Sequence, residues 1–358
     1  MENAKRKMQN RMHIVSKLMK IFLVALLVLK FACNHAAGQI GGSGTYQFLD
    51  LTNSAKVAAL GGTQIALTDK DVALTFYNPS SLNDSMKNQF SVNYVSYIAG
   101  IGVGYAAYAP NIKGRNTFAA AIHFVNYGTF EGASETGQLT GTFKAAEYAI
   151  NLFFSREIAS HLRLGVNIKP ILSSLESYHS FGLALDLGIT YAMKDGQSAL
   201  SFVTKNLGHQ ITTYYQNGVY EKLPWDMQLG FSRHLNNAPV KFLVTADHLN
   251  IWNLSYVDLP ANQSGSVSSS ENFTSLLMRH VVLGAEISPE QHVTLRFGYN
   301  YQRRKELSVE SRPGIVGYSA GVGVKISKFD INYSIASFHL ASAVHYFSLT
   351  TSLSDFIH

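Results

Sequence analysis

Gly317-Tyr318-Ser319-Ala320-Gly321 has the G-x-S-x-G spacing that, on a sharp strand-to-helix turn, exposes a serine nucleophile. The surrounding residues argue against that chemistry. Tyr318, Ala320, Val322, Val324 and Ile326 alternate with small or polar residues, Ser319 falls on the face of Lys325, and no helical pattern follows. A small residue inside a strand is the expected role of Ser319. Gly100, Gly102 and Gly104 form half of a dinucleotide fingerprint, but Ala107 stands where the third glycine belongs. Neither H-E-x-x-H nor calcium-loop spacing occurs, and the thirteen histidines are scattered, with His209, His248 and His280 flanking expected loops. Asn253, Asn262 and Asn272 begin N-x-S/T triplets that read as Asn/Ser-rich loop composition. Cys33 is the single cysteine, which excludes disulfides and cysteine-ligated metals. No catalytic residue, metal or cofactor is expected, and the chain does not read as an enzyme.

The pattern that surrounds these residues is more informative. Leu162, Leu164, Val166 and Ile168 alternate with Arg163, Gly165, Asn167 and Lys169. The same period of two recurs over 181–191, 293–301 and 329–335. It predicts strands with one apolar and one polar face. Runs of about 10 residues suit tilted strands crossing a bilayer, where only a closed barrel satisfies every backbone group. No run after the first thirty residues reaches the length of a transmembrane helix.

Residues 1–38 carry the marks of a secretory leader. Lys5, Arg6, Lys7, Arg11, Lys17 and Lys20 precede the apolar run Ile21–Leu29, and Ala36-Ala37-Gly38 offers small residues for cleavage before Gln39. Lipidation at Cys33 is the alternative processing. Setting aside the leader's seven Lys/Arg and one Glu from totals of 29 and 23 leaves 22 charges of each sign. The basic balance therefore belongs to export and gives no reason to expect nucleic acid as a partner. Those 44 charges are about 14% of the remaining 320 residues, against ~25% in soluble domains. Tyr and Phe number 19 and 21, a supply suited to aromatic girdles at a membrane boundary.

Fourteen strands are predicted, at 89–97, 99–109, 115–125, 145–155, 162–174, 179–192, 197–206, 225–234, 239–248, 279–288, 291–302, 314–326, 328–337 and 344–353. Long connections (126–144, 207–224, 250–278, 303–313) alternate with short turns near Ala159–Ser160, Asp195–Gly196, Asn236–Asn237, Pro289–Glu290 and Ser327–Lys328. Outer-membrane barrels carry long loops outside and short turns in the periplasm. The expected fold is all-β: a 14-stranded antiparallel transmembrane β-barrel over 89–358, with an N-terminal hatch segment over 39–88. A periplasmic extension is the alternative for 39–88.

The polar faces of these strands would place Glu147, Asp186, Asp226, Glu286 and Asp330 in the lumen with Arg163, Lys169, Lys241, Arg296 and Lys325. Equal numbers of both signs predict a paired network filling the barrel rather than a selective pore; charges simply meeting water in a wide lumen are the alternative. Tyr214, Tyr215, Tyr220, Trp252 and Tyr256 lie in long connections and are aromatics of the kind enriched at binding hot spots.

The stretch TYQFLDLTNSAKVAALGGTQIALTDKDVALTFYNPSSL at 45–82 resembles the start of barrels of the FadL-like superfamily, through Ala55, Gly61, Gly62, Ala66, Asp71, Asn78, Pro79, Ser80 and Leu82. Its opening, GTYQFLDLTNSAKVAALGG, is similar to the PorQ-like barrels of the type IX secretion system of Bacteroidota. The resemblance implies a non-enzymatic outer-membrane protein. It would hold a PorZ-like surface protein beside a PorV-like barrel and a PorU-like sortase, which anchors cargo to lipopolysaccharide. The wider FadL-like resemblance implies the alternative, a channel for hydrophobic compounds.

Overall fold

Inverted polarity is what makes this sequence fold as it does. In β1 (Gln89–Ser96) the buried positions are Gln89, Ser91, Asn93 and Val95, while Phe90, Val92 and Tyr94 are exposed. A strand that hides its amides and shows its aromatics is adapted to lipid outside and a polar interior. The computed structural model describes residues 44–254, 272–307, 314–339 and 342–356. The leader, with Cys33, lies outside the described residues, as do Gln39, Tyr256 and Asn262.

Thirteen strands follow β1: β2 (Gly102–Tyr108), β3 (Asn116–Ala133), β4 (Leu139–Ala159), β5 (Leu162–Leu175), β6 (Tyr178–Ala192) and β7 (Ser198–Thr212). Then come β8 (Asp226–His234), β9 (Val240–Ala246), β10 (Val281–Glu290), β11 (Val293–Asn300), β12 (Tyr318–Ile326), β13 (Phe329–His339) and β14 (Ser342–Ser352). Every strand pairs antiparallel with its sequence neighbours, and β1 pairs with β14 from Gln89↔Ser352 to Ser96↔His345, closing the barrel. All fourteen predicted strands are present. No described helix is long and apolar enough to cross a membrane; the crossing elements are strands.

The connections differ from expectation in instructive ways. Most of 126–144 is strand, because β3 and β4 continue past the wall as a two-stranded ribbon. Its glycines and threonines break the alternation, yet Phe130 and Phe143 stack across it at 5.3 Å. β7 likewise runs to Thr212, well into 207–224. β12 starts at Tyr318 rather than 314, since Gly317 (φ +87) makes a turn just before it. β10 runs through Pro289 to Glu290, and the chain turns at Gln291 and His292. Proline at a strand end forfeits no ladder bond.

Residues 44–88 thread the lumen. They form one short helix, α1 (Ala55–Ala59), and four 3-10 turns at Gln47–Asp50, Val72–Phe76, Pro79–Ser81 and Asp84–Met86. α1 packs on β11 to β14, Val72–Phe76 on β1 and β2, and Pro79–Ser81 on β4 to β6. The segment thus touches opposite walls. Val57, Leu60, Leu74, Phe76, Leu82 and Met86 form its buried core. Two wall glycines admit its backbone. A Cβ at Gly298 would lie 2.1 Å from the Gly61 nitrogen, and one at Gly165 would lie 2.1 Å from the Pro79 carbonyl carbon.

Gly298→Val and Gly165→Val are expected to unseat this segment, each at about 1–3 kcal/mol of overpacking. Trypsin should then cleave at Lys56 or Lys70 in the detergent-solubilised barrel, while gel mobility without heating still reports a closed barrel. Unchanged resistance in both variants would show that the close approach does not hold the segment.

Candidate functional site: the hatch and its locks

A lone lysine in an apolar helix needs a reason to be there, because an uncompensated buried ammonium is strongly disfavoured. Lys56 is 1% exposed and lies between Ala55 and Val57 of α1. Three carboxylates reach its Nζ: Asp330 at 2.9 Å from β13, Asp71 at 3.0 Å and Asp69 at 3.1 Å. Asp71 also accepts the Ala73 N–H at 3.0 Å, capping the turn Val72–Phe76, and a hydroxyl bond from Thr350 of β14. Burial works against the Lys56 charge, but the three carboxylates outweigh it and hold the ammonium above its ordinary range. Burial also opposes the Asp69 charge, and Lys56 with Lys241 and Arg296 overcomes this to hold Asp69 below the carboxylate range.

The lock continues into the wall. Asp330 accepts from Asn332 at 2.8 Å, Asn332 accepts from Arg296 at 2.8 Å, and Arg296 donates to Glu286 at 2.7 Å. Lys241 approaches Glu286 at 3.6 Å. One connected path of charge therefore links β9, β10, β11 and β13 to the hatch.

A second lock lies across the lumen. Lys169 of β5 meets Asp186 of β6 at 2.8 Å, both fully buried, and also donates to Asn206. Asp186 accepts the Asn206 N–H at 2.8 Å and the Asn167 amide at 3.0 Å. Asn206, at φ +59 inside β7, then turns its own amide to the hatch carboxylate Asp50 at 3.0 Å. Tyr46 completes this side by bonding Ser180 of β6 at 2.5 Å, and burial pushes its phenol up to about 12.

The glycines, the Asn-Pro pair and the other residues singled out in 45–82 are where backbone meets wall. The Ala55 N–H donates to Ser348 at 2.9 Å. Gly61 and Gly62 adopt φ +103 and +97, a region open to glycine. Ser319 accepts the Gly61 N–H at 3.1 Å and donates to the Ala59 carbonyl at 3.0 Å. The serine of the G-x-S-x-G motif is thus a hatch anchor on β12, with no strand-to-helix turn to expose it. Ala66 packs against Gly230. Asn78 accepts the Ser80 N–H at 2.9 Å and donates to Ile65 and Thr190, so that Pro79 seats between Gly165 and Gly188.

The ten wall charges separate into groups. Lys169 with Asp186, Lys241 with Glu286 and Arg296, and Asp330 with Lys56 form ion pairs. Glu147 and Asp226 are buried without a basic partner among the described ion pairs; Glu147 accepts from Tyr127, and Asp226 from the His248 N–H and Gln228. Arg163 donates to the Leu82 carbonyl of the hatch at 3.1 Å and approaches Glu157 at 3.5 Å. Lys325 departs from the expectation: it is exposed at the short-turn rim, opposite Asp330 in register, and joins no ion pair among the described residues. It sits past the hatch, where water solvates it. Pattern alone missed Lys56, Asp69 and Asp50. The readable signal was a charge inside the apolar run 55–60, with acids 13 and 15 residues later.

The outer aromatics also separate. Tyr214 turns inward, bonding Ser173 at 2.7 Å and Thr45 at 3.3 Å, so it belongs to the hatch packing. Tyr215 packs tilted against Tyr178, Tyr220 against His209, and Trp252 lies between Phe273 and His280; all three stay more than half exposed. Trp252 faces a short helix, α2 (Phe273–Arg279). A cavity of about 440 Å³ opens at the short-turn end beside Leu67, Asp69, Asn78 and Arg163. An adjoining one of about 380 Å³ shares Asp84, Glu157 and Arg163 with it.

No family model and no curated protein matches the sequence. Solved structures do. The Pseudomonas putida toluene transporter TodX superposes with a TM-score of 0.51 at 13% identity, covering 84% of this chain and 96% of that one. A TodX deltaS2 mutant, a monoaromatic hydrocarbon channel, gives 0.51 at 14% identity over 84% and 97%. The shared fold is the closed 14-stranded antiparallel barrel. A Pseudomonas aeruginosa FadL homologue superposes less well, at 0.47 and 10% identity over 84% and 98%. At these identities the likeness concerns the fold. The PorQ-like similarity of 45–62 has no counterpart among these matches.

Lys56→Met is expected to cost about 3–5 kcal/mol, because it leaves the buried Asp71 carboxylate without its ammonium. Urea unfolding in micelles measures it, and a loss under 1 kcal/mol would show that the lock is not stabilising. The pH dependence has a definite sign. The contribution of Lys56, whose pKa is raised, is complete below ~10.5 and lost as pH rises through its higher folded value. That of Asp69, whose pKa is lowered, is complete above ~3.9 and lost as pH falls through its lower folded value. Hatch protection against pepsin should therefore persist at pH 5 and fall toward pH 2. Protection already lost at pH 5 would contradict the assignment.

Proposed function

We propose that this chain is a non-enzymatic, hatch-sealed barrel of the outer membrane that works at its long-loop end, holding a surface protein for type IX secretion. One observation carries the sealed reading: the lumen holds a segment fixed to opposite walls by the Lys56 and Asp50 locks. The 45–62 resemblance supplies the system, and with it a PorZ-like partner, a PorU-like sortase and a PorV-like barrel in a lipopolysaccharide-bearing membrane. Tyr215, Tyr220 and Trp252 give that end exposed aromatic surface.

A second reading, transport of hydrophobic compounds, has its own observation. The fold likeness to a toluene transporter favours it over anchoring. Ile65, Ala66 and Leu67 also give the short-turn cavity an apolar wall. Transport requires a route past the hatch, so the Lys56 ion pairs would have to exchange for others as a solute passes.

A deletion strain separates the two. Loss of a PorZ-like protein from the cell surface, with uptake of radiolabelled toluene and oleate unchanged, is the expected result. Reduced uptake with normal surface retention would replace anchoring by transport. In the anchoring case, Tyr215→Ala with Trp252→Ala should reduce retention several-fold, and full retention would move the contact elsewhere on the outer end.

A further inference from the structure

The barrel wall is uneven at its outer end. β1 and β2 turn back at Ile98–Gly100, where the Tyr97 N–H closes on the Ile101 carbonyl at 2.9 Å. β2 consequently leaves β3 at Gly102↔Asn126, while β3 continues for seven more residues, to Ala133. That overhang, about 23 Å at strand rise, pairs only with β4. Its other edge faces the gap above the β1–β2 turn. Two glycines report the space there: a Cβ added at Gly128 or at Gly100 would meet no heavy atom within 4 Å.

The edge is built as a usable strand. Bulges fall between Asn126 and Thr129 and between Gly132 and Ala133, and between them Thr129–Gly132 pairs in regular register with Gly141–Lys144. Proline, lysine and arginine, which proteins use to blunt open edges, are absent from Tyr127–Ala133. The edge of β4 is better guarded. The Glu176 N–H bonds the Lys144 carbonyl at its base, and Gly141 interrupts it at φ +120. The ribbon's charges are Glu131 and Glu135, both exposed, against Lys144.

Resting on the docking reading above, we infer that the open edge of β3 at Tyr127–Ala133 is a strand-addition site for an extended segment of the surface partner. Main-chain hydrogen bonds supply the affinity in this mode, and alternate side chains supply the specificity. The acceptable segment carries Lys or Arg to oppose Glu131 and an apolar or β-branched residue to extend the Phe130–Phe143 stack. A partner strand of five to seven residues fills the gap that the short β1–β2 turn leaves.

The test uses the full-length barrel in detergent micelles with a purified PorZ-like surface protein, reading binding and amide hydrogen exchange. Expected are slowed exchange at 127–133, a tenfold or greater loss of affinity when 128–142 is replaced by an Asn-Gly turn, and a several-fold loss for Glu131→Lys. Equal affinity of the wild-type and ribbon-shortened barrels, with protection confined to 213–220, would overturn the site and leave the docking reading standing. No binding by the wild-type barrel would overturn both. Protection at 127–133 that requires added lipopolysaccharide alone would assign the edge to lipid and refute strand addition.

Discussion

Burying one ammonium constrains a large part of this molecule. Lys56 can sit 1% exposed in the lumen only because Asp330, Asp69 and Asp71 converge on it. Satisfying the lysine fixes the path of 56–71 and also fixes where β13 must lie relative to α1. Asp330 in turn needs Asn332, which holds Arg296, which holds Glu286. Each member neutralises or orients the next, so the wall and its contents form a single electrostatic unit. In a low-dielectric interior a half-satisfied network is worse than none. Closing the barrel and seating the hatch are therefore coupled, and neither has its final energy without the other.

The wall was legible in the sequence because its two solvents differ so sharply. Lipid on one side and a polar lumen on the other impose a strict period of two. Leu164, Ile168 and Leu172 point out while Asn167, Lys169 and Ser173 point in. No comparable rule governs 44–88. That segment has little regular structure beyond one five-residue helix, and its positions are set by contacts with many strands at once. The residues that could be singled out there, such as Gly61, Gly62, Asn78 and Pro79, are those whose backbone chemistry is unusual. Asp50 was illegible because its partner Asn206 lies 156 residues away, and Lys56 showed only its two local acids, since its wall partner Asp330 lies 274 residues away.

The outer end shows the same limit from another direction. Tyr214 and Tyr215 are neighbours with one chemistry, yet the first bonds Ser173 inside the barrel and the second is exposed against Tyr178. Which neighbour turns inward depends on where the hatch passes, since Thr45 meets Tyr214. The β3–β4 ribbon was hidden for a different reason. Above the bilayer both faces meet water, so the alternation that marks a membrane strand has no cause to persist. Glycine-rich, polar strand and glycine-rich, polar loop then look alike, and only the cross-strand register distinguishes them.

Sealing and transport make opposite demands on the same contacts. A hatch that opens should meet its barrel through bonds that water can replace cheaply. Here the Lys169–Asp186 pair and the Lys56–Asp71 pair are essentially fully buried, and parting either exposes charges whose desolvation has already been offset. The glycine seats sharpen the point. Gly165, Gly298 and Gly321 let hatch atoms approach the wall more closely than any side chain would allow, so a small displacement forfeits much of the fit. The same backbone fold that surrounds a hydrocarbon channel elsewhere here encloses a segment met by buried Lys, Asp and Asn.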